Sequence, residues 1–118
     1  MLELNHKKLE VWKDSMKFVS LVYQITQNFP KVEIYGITSQ LRRSVVSIPS
    51  NIAEGSSRNS TIERRRFCRI ARSSLVELDT QLEISNSLGF IESDQIEKIA
   101  VNINMIFAKL TKLIQNTN

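Results

Sequence analysis

A chain of 118 residues, 42% hydrophobic by composition, is long enough for one domain whose core needs neither disulfides nor a metal. Its formal charge of +4 hides an asymmetry: all eight arginines lie between Arg42 and Arg72 with only Glu54 and Glu63 as acids, so this window carries +6 and the remainder −2. One cysteine excludes an intrachain disulfide, no apolar run nears the roughly 18–20 residues that span a bilayer, and the N-terminus lacks a signal-peptide core, so a cytoplasmic protein is expected.

Three glycines and two prolines in the whole chain predict long helices. The first covers about residues 6–29, behind an Asn5 cap with Leu4 and Leu9 as its hydrophobic staple, and stops before Pro30. It carries two apolar stripes at helical spacing. Leu9, Trp12, Met16, Val19, Tyr23 and Thr26 form one, assigned to the core; Phe18, Val22, Ile25 and Phe29 form the other, assigned to a contact between subunits. Left exposed, that second stripe would be an apolar patch uncommon on a monomer, so a homo-oligomer is expected.

A second helix over about 35–55 turns Ile37, Leu41, Val45, Ile48 and Ile52 inward, with a kink or break near Pro49 and an end at Gly55. Ser44, Ser47 and Ser50 recur every three residues and offer a small-residue strip for close packing. Ser60 and Glu63 match a capping box, so a third helix over about 61–88 starts there, with Cys68, Ala71, Leu75, Leu78, Leu82 and Ser85 as its stripe and Gly89 as its left-handed stop. The fourth, over about 94–115 behind Ser93 and Asp94, places Ile96, Ile99, Ile103, Ile106, Leu110 and Leu113 at unbroken spacings of three and four. An all-α, up-down antiparallel four-helix bundle follows, one domain over residues 1–118.

The run Tyr35-Gly36-Ile37-Thr38-Ser39-Gln40-Leu41-Arg42-Arg43, then Ser47-Ile48-Pro49-Ser50-Asn51-Ile52-Ala53-Glu54-Gly55, resembles the bacterial proteins encoded in 23S rRNA intervening sequences. Their superfamily includes the accessory variability determinant of diversity-generating retroelements. Leu9, Val11 and Trp12, then Phe29-Pro30, then Phe67, Ala71, Arg72, Ser74, Leu75, Glu77 and Leu78 extend the resemblance over nearly the whole chain. It implies a four-helix bundle assembled as a barrel-like homopentamer, with a positive surface for RNA or DNA and, in the retroelement branch, a reverse transcriptase as partner. Ser73 departs from the pattern, which has glycine before Ser74, so a slightly less close helix approach is expected there.

At about 100° per residue Arg65, Arg69 and Arg72 share an arc of about 60° roughly opposite the apolar stripe, a ridge facing solvent. Together with Arg42, Arg58 and Arg66 they are the candidate phosphate contacts. Arg43 and Arg64, nearer the Asn-Ile-Ala-Glu-Gly block, are assigned to structural pairing with Glu54, Asn51 to a bond across to the third helix, and Gly55 to the helix end. Arg64 to Arg66 stand in the first turns of the third helix and Glu77, Asp79 and Glu83 in its second half, both against the macrodipole, an order that folding does not favour.

Two readings of the arginines stand side by side: they contact RNA or DNA phosphates, or the basic and acidic halves of neighbouring subunits pair head to tail in a scaffold without nucleic acid. The window's one aromatic residue, Phe67, falls on the core side, so stacking platforms are missing and binding is expected through phosphates, with little base preference and steep salt dependence. His6 reads as a first-turn residue and Cys68 as a small core hydrophobe, and there is neither a Cys/His metal spacing nor a glycine-rich phosphate loop. No enzyme, catalytic residue, metal, cofactor or membrane partner is expected.

Overall fold

Four helices form close to where the apolar spacing puts them: α1 Glu10–Thr26, α2 Ile37–Ser56, α3 Thr61–Ser87 and α4 Ser93–Asn116. They belong to a computed structural model that describes every residue from 1 to 118. Contacts along the helices fix their directions. Ser47 meets Ser74 while Gly55 abuts Phe67, and Arg72 reaches Thr111 while Arg65 reaches Thr117, so numbering runs in opposite senses across α2/α3 and across α3/α4. Each helix packs on its neighbours in sequence and α4 closes against α1, an up-down antiparallel bundle of 43 × 26 × 20 Å. The 27 residues of α3, at about 1.5 Å each, fill its length.

The core is the set of stripes from all four helices, with Leu41, Val45, Ile48, Ile52, Leu78, Ile106 and Leu110 fully enclosed. On α3 the whole expected stripe from Cys68 to Ser85 is buried. Its end is a Schellman motif: Gly89 adopts φ 76°, its N–H donates to the Asn86 carbonyl, and the Phe90 N–H donates to that of Ser85.

The start of α1 differs from the expectation. Residues Asn5–Lys8 make a 3-10 turn, Leu9 is extended, and the α-helix begins at Glu10, so there is no Asn5 cap and Leu4 stays exposed instead of acting as a staple. The buried His6 ring explains the offset, because it packs edge-on against Trp12 with centroids 5.2 Å apart. Residues six apart lie roughly 120° apart round an α-helix and cannot touch, so the chain must turn more tightly before α1 begins.

Only part of the expected division of α1 holds: Leu9, Trp12 and Val19 pack against the core and Thr26 is buried, but the Phe18 stripe lies deeper. Phe18 and Val22 are fully buried within the chain's own core, with Ile25 and Phe29 nearly so, whereas Met16 and Tyr23 of the other stripe are 44% and 38% exposed. Phe18, Val22, Ile25 and Phe29 are therefore intramolecular packing and not a subunit interface. Helix α2 also runs unbroken through the buried Pro49, so the break expected there is absent. Ser50 and Asn51 beside it donate to the Val46 and Ser47 carbonyls at 2.8 Å, extra bonds to the turn that the proline disturbs.

Lys109 pins α4 to α1, donating to Asp14 at 2.6 Å and to Glu10 at 3.3 Å. The hydrogen bond to Asp14, with Glu10 adding to it and partial burial opposing, holds this ammonium above its ordinary pKa of 10.5. A raised pKa stabilises the fold fully below the unfolded value and loses that contribution as pH climbs through the folded one. Urea melts should thus place Asp14→Ala below wild type at pH 8, with the gap closing as pH climbs through the raised Lys109 pKa; a constant gap would assign the effect of Asp14 to packing.

Candidate nucleic-acid interface

Folding divides the eight arginines into those already held by the protein and those left outward. Arg64 belongs to the first group: it donates to the Arg58 and Asn59 carbonyls at 3.1 and 2.8 Å, to Thr61 Oγ1 at 3.1 Å and to the backbone oxygen of Asn118, and so fastens the α2–α3 turn. It does not touch Glu54. The partner of Glu54 is Arg58, at 2.9 Å, which also lies 3.8 Å from Glu63 and stacks 4.7 Å above the Phe67 ring. Both members of the Glu54–Arg58 pair are well exposed, so truncating Glu54 costs only about 0.3–0.5 kcal/mol, less than a structural keystone would.

The other residues of the Asn-Ile-Ala-Glu-Gly block also act locally. Asn51 stays on its own helix, donating to the Ser47 carbonyl and, at 2.9 Å, to Ser47 Oγ; it is Ser47 that crosses to α3, meeting Ser74 Oγ at 2.8 Å. Gly55 does not end α2 by a left-handed turn. It is buried at a close approach of α2 to α3, and a Cβ there would sit 3.0 Å from Phe67 Cβ and 3.2 Å from the Arg64 carbonyl oxygen. Ser73, by contrast, is exposed and plays no part in that approach.

Arg65 and Arg72 do not stand in a solvent ridge. Both lean across to α4, Arg65 donating to the Thr117 carbonyl at 2.6 Å and Arg72 to Thr111 Oγ1 at 3.2 Å, with Arg72 5.8 Å from the Phe107 ring. An arc opposite the apolar stripe is not automatically free, because α3 is flanked on one side by α2 and on the other by α4. Arg42 is held on the α1 side, its Nε donating to Thr26 Oγ1 at 3.0 Å and its guanidinium 4.6 Å above the Tyr23 ring.

Three arginines remain: Arg43, Arg66 and Arg69 are exposed and make no hydrogen bond or ion pair within the chain. Arg66 and Arg69 share the outward face of α3. With Ser47 opposite Ser74, Arg43 lies level with about residue 78, roughly 18 Å along the bundle from Arg66 at 1.5 Å per residue. Arg43 borders a hollow with no apolar lining, which it shares with Gln40, Ser44, Ser47, Ser74 and Glu77. Two residues that the arginine count leaves out also stand here: Tyr23 and Tyr35 come from outside the window to flank Arg42 and Arg43. Tyr35, Ser39, Arg42 and Val46, at spacings of four, three and four, were the sign of this in the sequence.

The single histidine and single cysteine line one hollow at the bundle end, beside Arg64 and Leu113, but no hydrogen bond joins His6 to Cys68. Burial pushes the Cys68 thiol up, the opposite of what activates a nucleophile. No three His, Cys, Asp or Glu side chains gather as metal ligands, and no helix is long and apolar enough to cross a membrane.

No curated protein matches the chain. A crystal structure at 1.70 Å of a protein with unknown function from the S23 ribosomal protein family of Bacteroides thetaiotaomicron superposes with a TM-score of 0.82, covering 90% of this chain and 99% of that one. At 22% sequence identity that likeness concerns the fold, which is the same up-down bundle. A family model described as 23S rRNA-intervening sequence protein matches residues 7–112, nearly the whole of the bundle, and the chain belongs to that family.

Proposed function

We propose that this protein is a nucleic-acid-binding accessory protein of the cytoplasm, without catalytic activity, that holds RNA or DNA by its phosphates. The observation that carries the reading is the set of three outward arginines, Arg43, Arg66 and Arg69, which have no internal partner while the other five do. Two of them, Arg66 and Arg69, stand one turn apart on the same face of α3, where like charges repel; a polyanion would relieve that cost. Three arginines are fewer than the charge of the window suggests, so repetition in a homo-oligomer, five copies by the family resemblance, would supply the avidity. Outward apolar side chains, among them Val76 and Phe107 beside one another in the α3–α4 groove, offer surface for such an assembly.

Mobility-shift assays with structured RNA, single-stranded DNA and duplex DNA test this, with Arg66→Glu/Arg69→Glu as the control. Binding at low salt that the double variant loses, at unchanged oligomeric mass, supports the proposal. The second reading, an oligomeric scaffold without nucleic acid, draws on Arg42, Arg58, Arg64, Arg65 and Arg72 being already engaged by protein groups. Absence of binding by wild type at low salt would favour it.

A further inference from the structure

Beside the turn between α1 and α2 lies an open-sided hollow of about 410 Å³, lined by Tyr23, Ile34, Tyr35, Arg42, Arg43 and Val46 and by no acid. Its volume is within the range of roughly 300–1,000 Å³ that small ligands occupy. Tyr35 is 95% exposed at the rim, and Ile34 and Val46 are 47% and 41% exposed. Arg42 is not a swinging surface side chain: its Nε is tied to Thr26 Oγ1 and its guanidinium lies over Tyr23, so the remaining donors are held in place at the edge of the hollow. Arg43 adds a second cation with no ion pair.

From this juxtaposition of a free aromatic face, an apolar floor and two arginines, one pre-positioned, we infer that the hollow takes one unpaired nucleotide of a single strand, its base on Tyr35 and the Ile34/Val46 floor and its phosphate on Arg42 and Arg43. The inference rests on the nucleic-acid reading above and adds strand state to it. A duplex keeps its bases stacked and cannot deliver one to this surface, whereas a single strand can, and stacking on tyrosine tolerates any base. Neither an acidic peptide nor inorganic phosphate would use the aromatic rim.

The test is fluorescence anisotropy of the full chain with a labelled single strand, as RNA and as DNA of one sequence to tell which sugar the hollow accepts, against the matching duplex. The variants are Tyr35→Ala, Tyr35→Phe and Arg66→Glu/Arg69→Glu, each with its mass measured by light scattering. One stacked base is worth about 1–3 kcal/mol, so Tyr35→Ala should weaken single-strand binding by about 5- to 150-fold. Duplex binding should stay unchanged, Tyr35→Phe should behave as wild type, and mass should not move. Unchanged single-strand binding by Tyr35→Ala, or equal losses on strand and duplex, would overturn the hollow while leaving the phosphate reading standing if Arg66→Glu/Arg69→Glu still loses affinity. A change of mass in Tyr35→Ala would overturn it too, because the ring would then be covered by another copy. No binding of any nucleic acid by wild type would remove both.

Discussion

Phe18→Ala is expected to lower the unfolding free energy by about 3–5 kcal/mol, and Phe18→Glu to yield no folded protein. Phe18 is fully buried among side chains of the same chain, so alanine leaves a cavity that the close-packed surroundings only partly fill. A carboxylate at that position would be buried with no partner, a cost that alone rivals the stability of a small domain, about 5–15 kcal/mol. Urea melts followed by far-UV circular dichroism would measure the first, and expression with size-exclusion analysis the second. A folded Phe18→Glu protein of smaller mass would mean that Phe18 sits between subunits and not in the core of its own chain.

The error over α1 has a physical source. Two stripes at helical spacing lie only about 110° apart round α1, and periodicity alone does not say which one faces inward. The deciding residues were Val11 and Ser15, both buried, which extend the Phe18 stripe to 11, 15, 18, 22, 25 and 29 at faultless alternation of four and three. The competing stripe contains Trp12, Tyr23 and Met16, side chains that tolerate a half-wet surface. On α3 no such rivalry exists, and the stripe from Cys68 to Ser85, the Ser60 cap and the Gly89 terminator all stand where spacing and chemistry put them. Only half of the capping box forms there, since the Glu63 carboxylate turns toward Arg58.

The arginine site was less legible for a different reason. Charge counts locate cations along the chain, but whether a guanidinium is available depends on neighbours distant in sequence. Arg65 meets Thr117, just past the end of α4 and 52 positions away, Arg72 meets Thr111 of α4, 39 positions away, and Arg42 meets Thr26 across the α1–α2 turn. Tyr35 and Tyr23 likewise reach Arg42 only through folding, which is why the window by itself seemed to lack an aromatic platform.

Arg66→Glu/Arg69→Glu should weaken nucleic-acid binding about 100-fold or more at low salt. Each lost charge-assisted contact is worth about 1.5 kcal/mol or more, and 1.4 kcal/mol is tenfold in affinity. Both positions are exposed and unpaired in the fold, so stability should hold within about 0.5 kcal/mol. That contrast separates a binding role from a structural one: lower affinity together with an unchanged melting temperature marks a phosphate contact. A fall in melting temperature would assign these arginines to folding or assembly.

Most direct is the salt dependence of wild-type binding to a duplex, measured from about 50 to 200 mM salt. With Arg43, Arg66 and Arg69 as the phosphate contacts of each engaged protomer, log affinity against log salt should fall with a slope of about −2 to −3 per protomer, and Arg66→Glu/Arg69→Glu should flatten it by about two-thirds. A slope that the double variant leaves unchanged, or no binding by wild type at about 50 mM salt, would contradict an interface built from these three arginines.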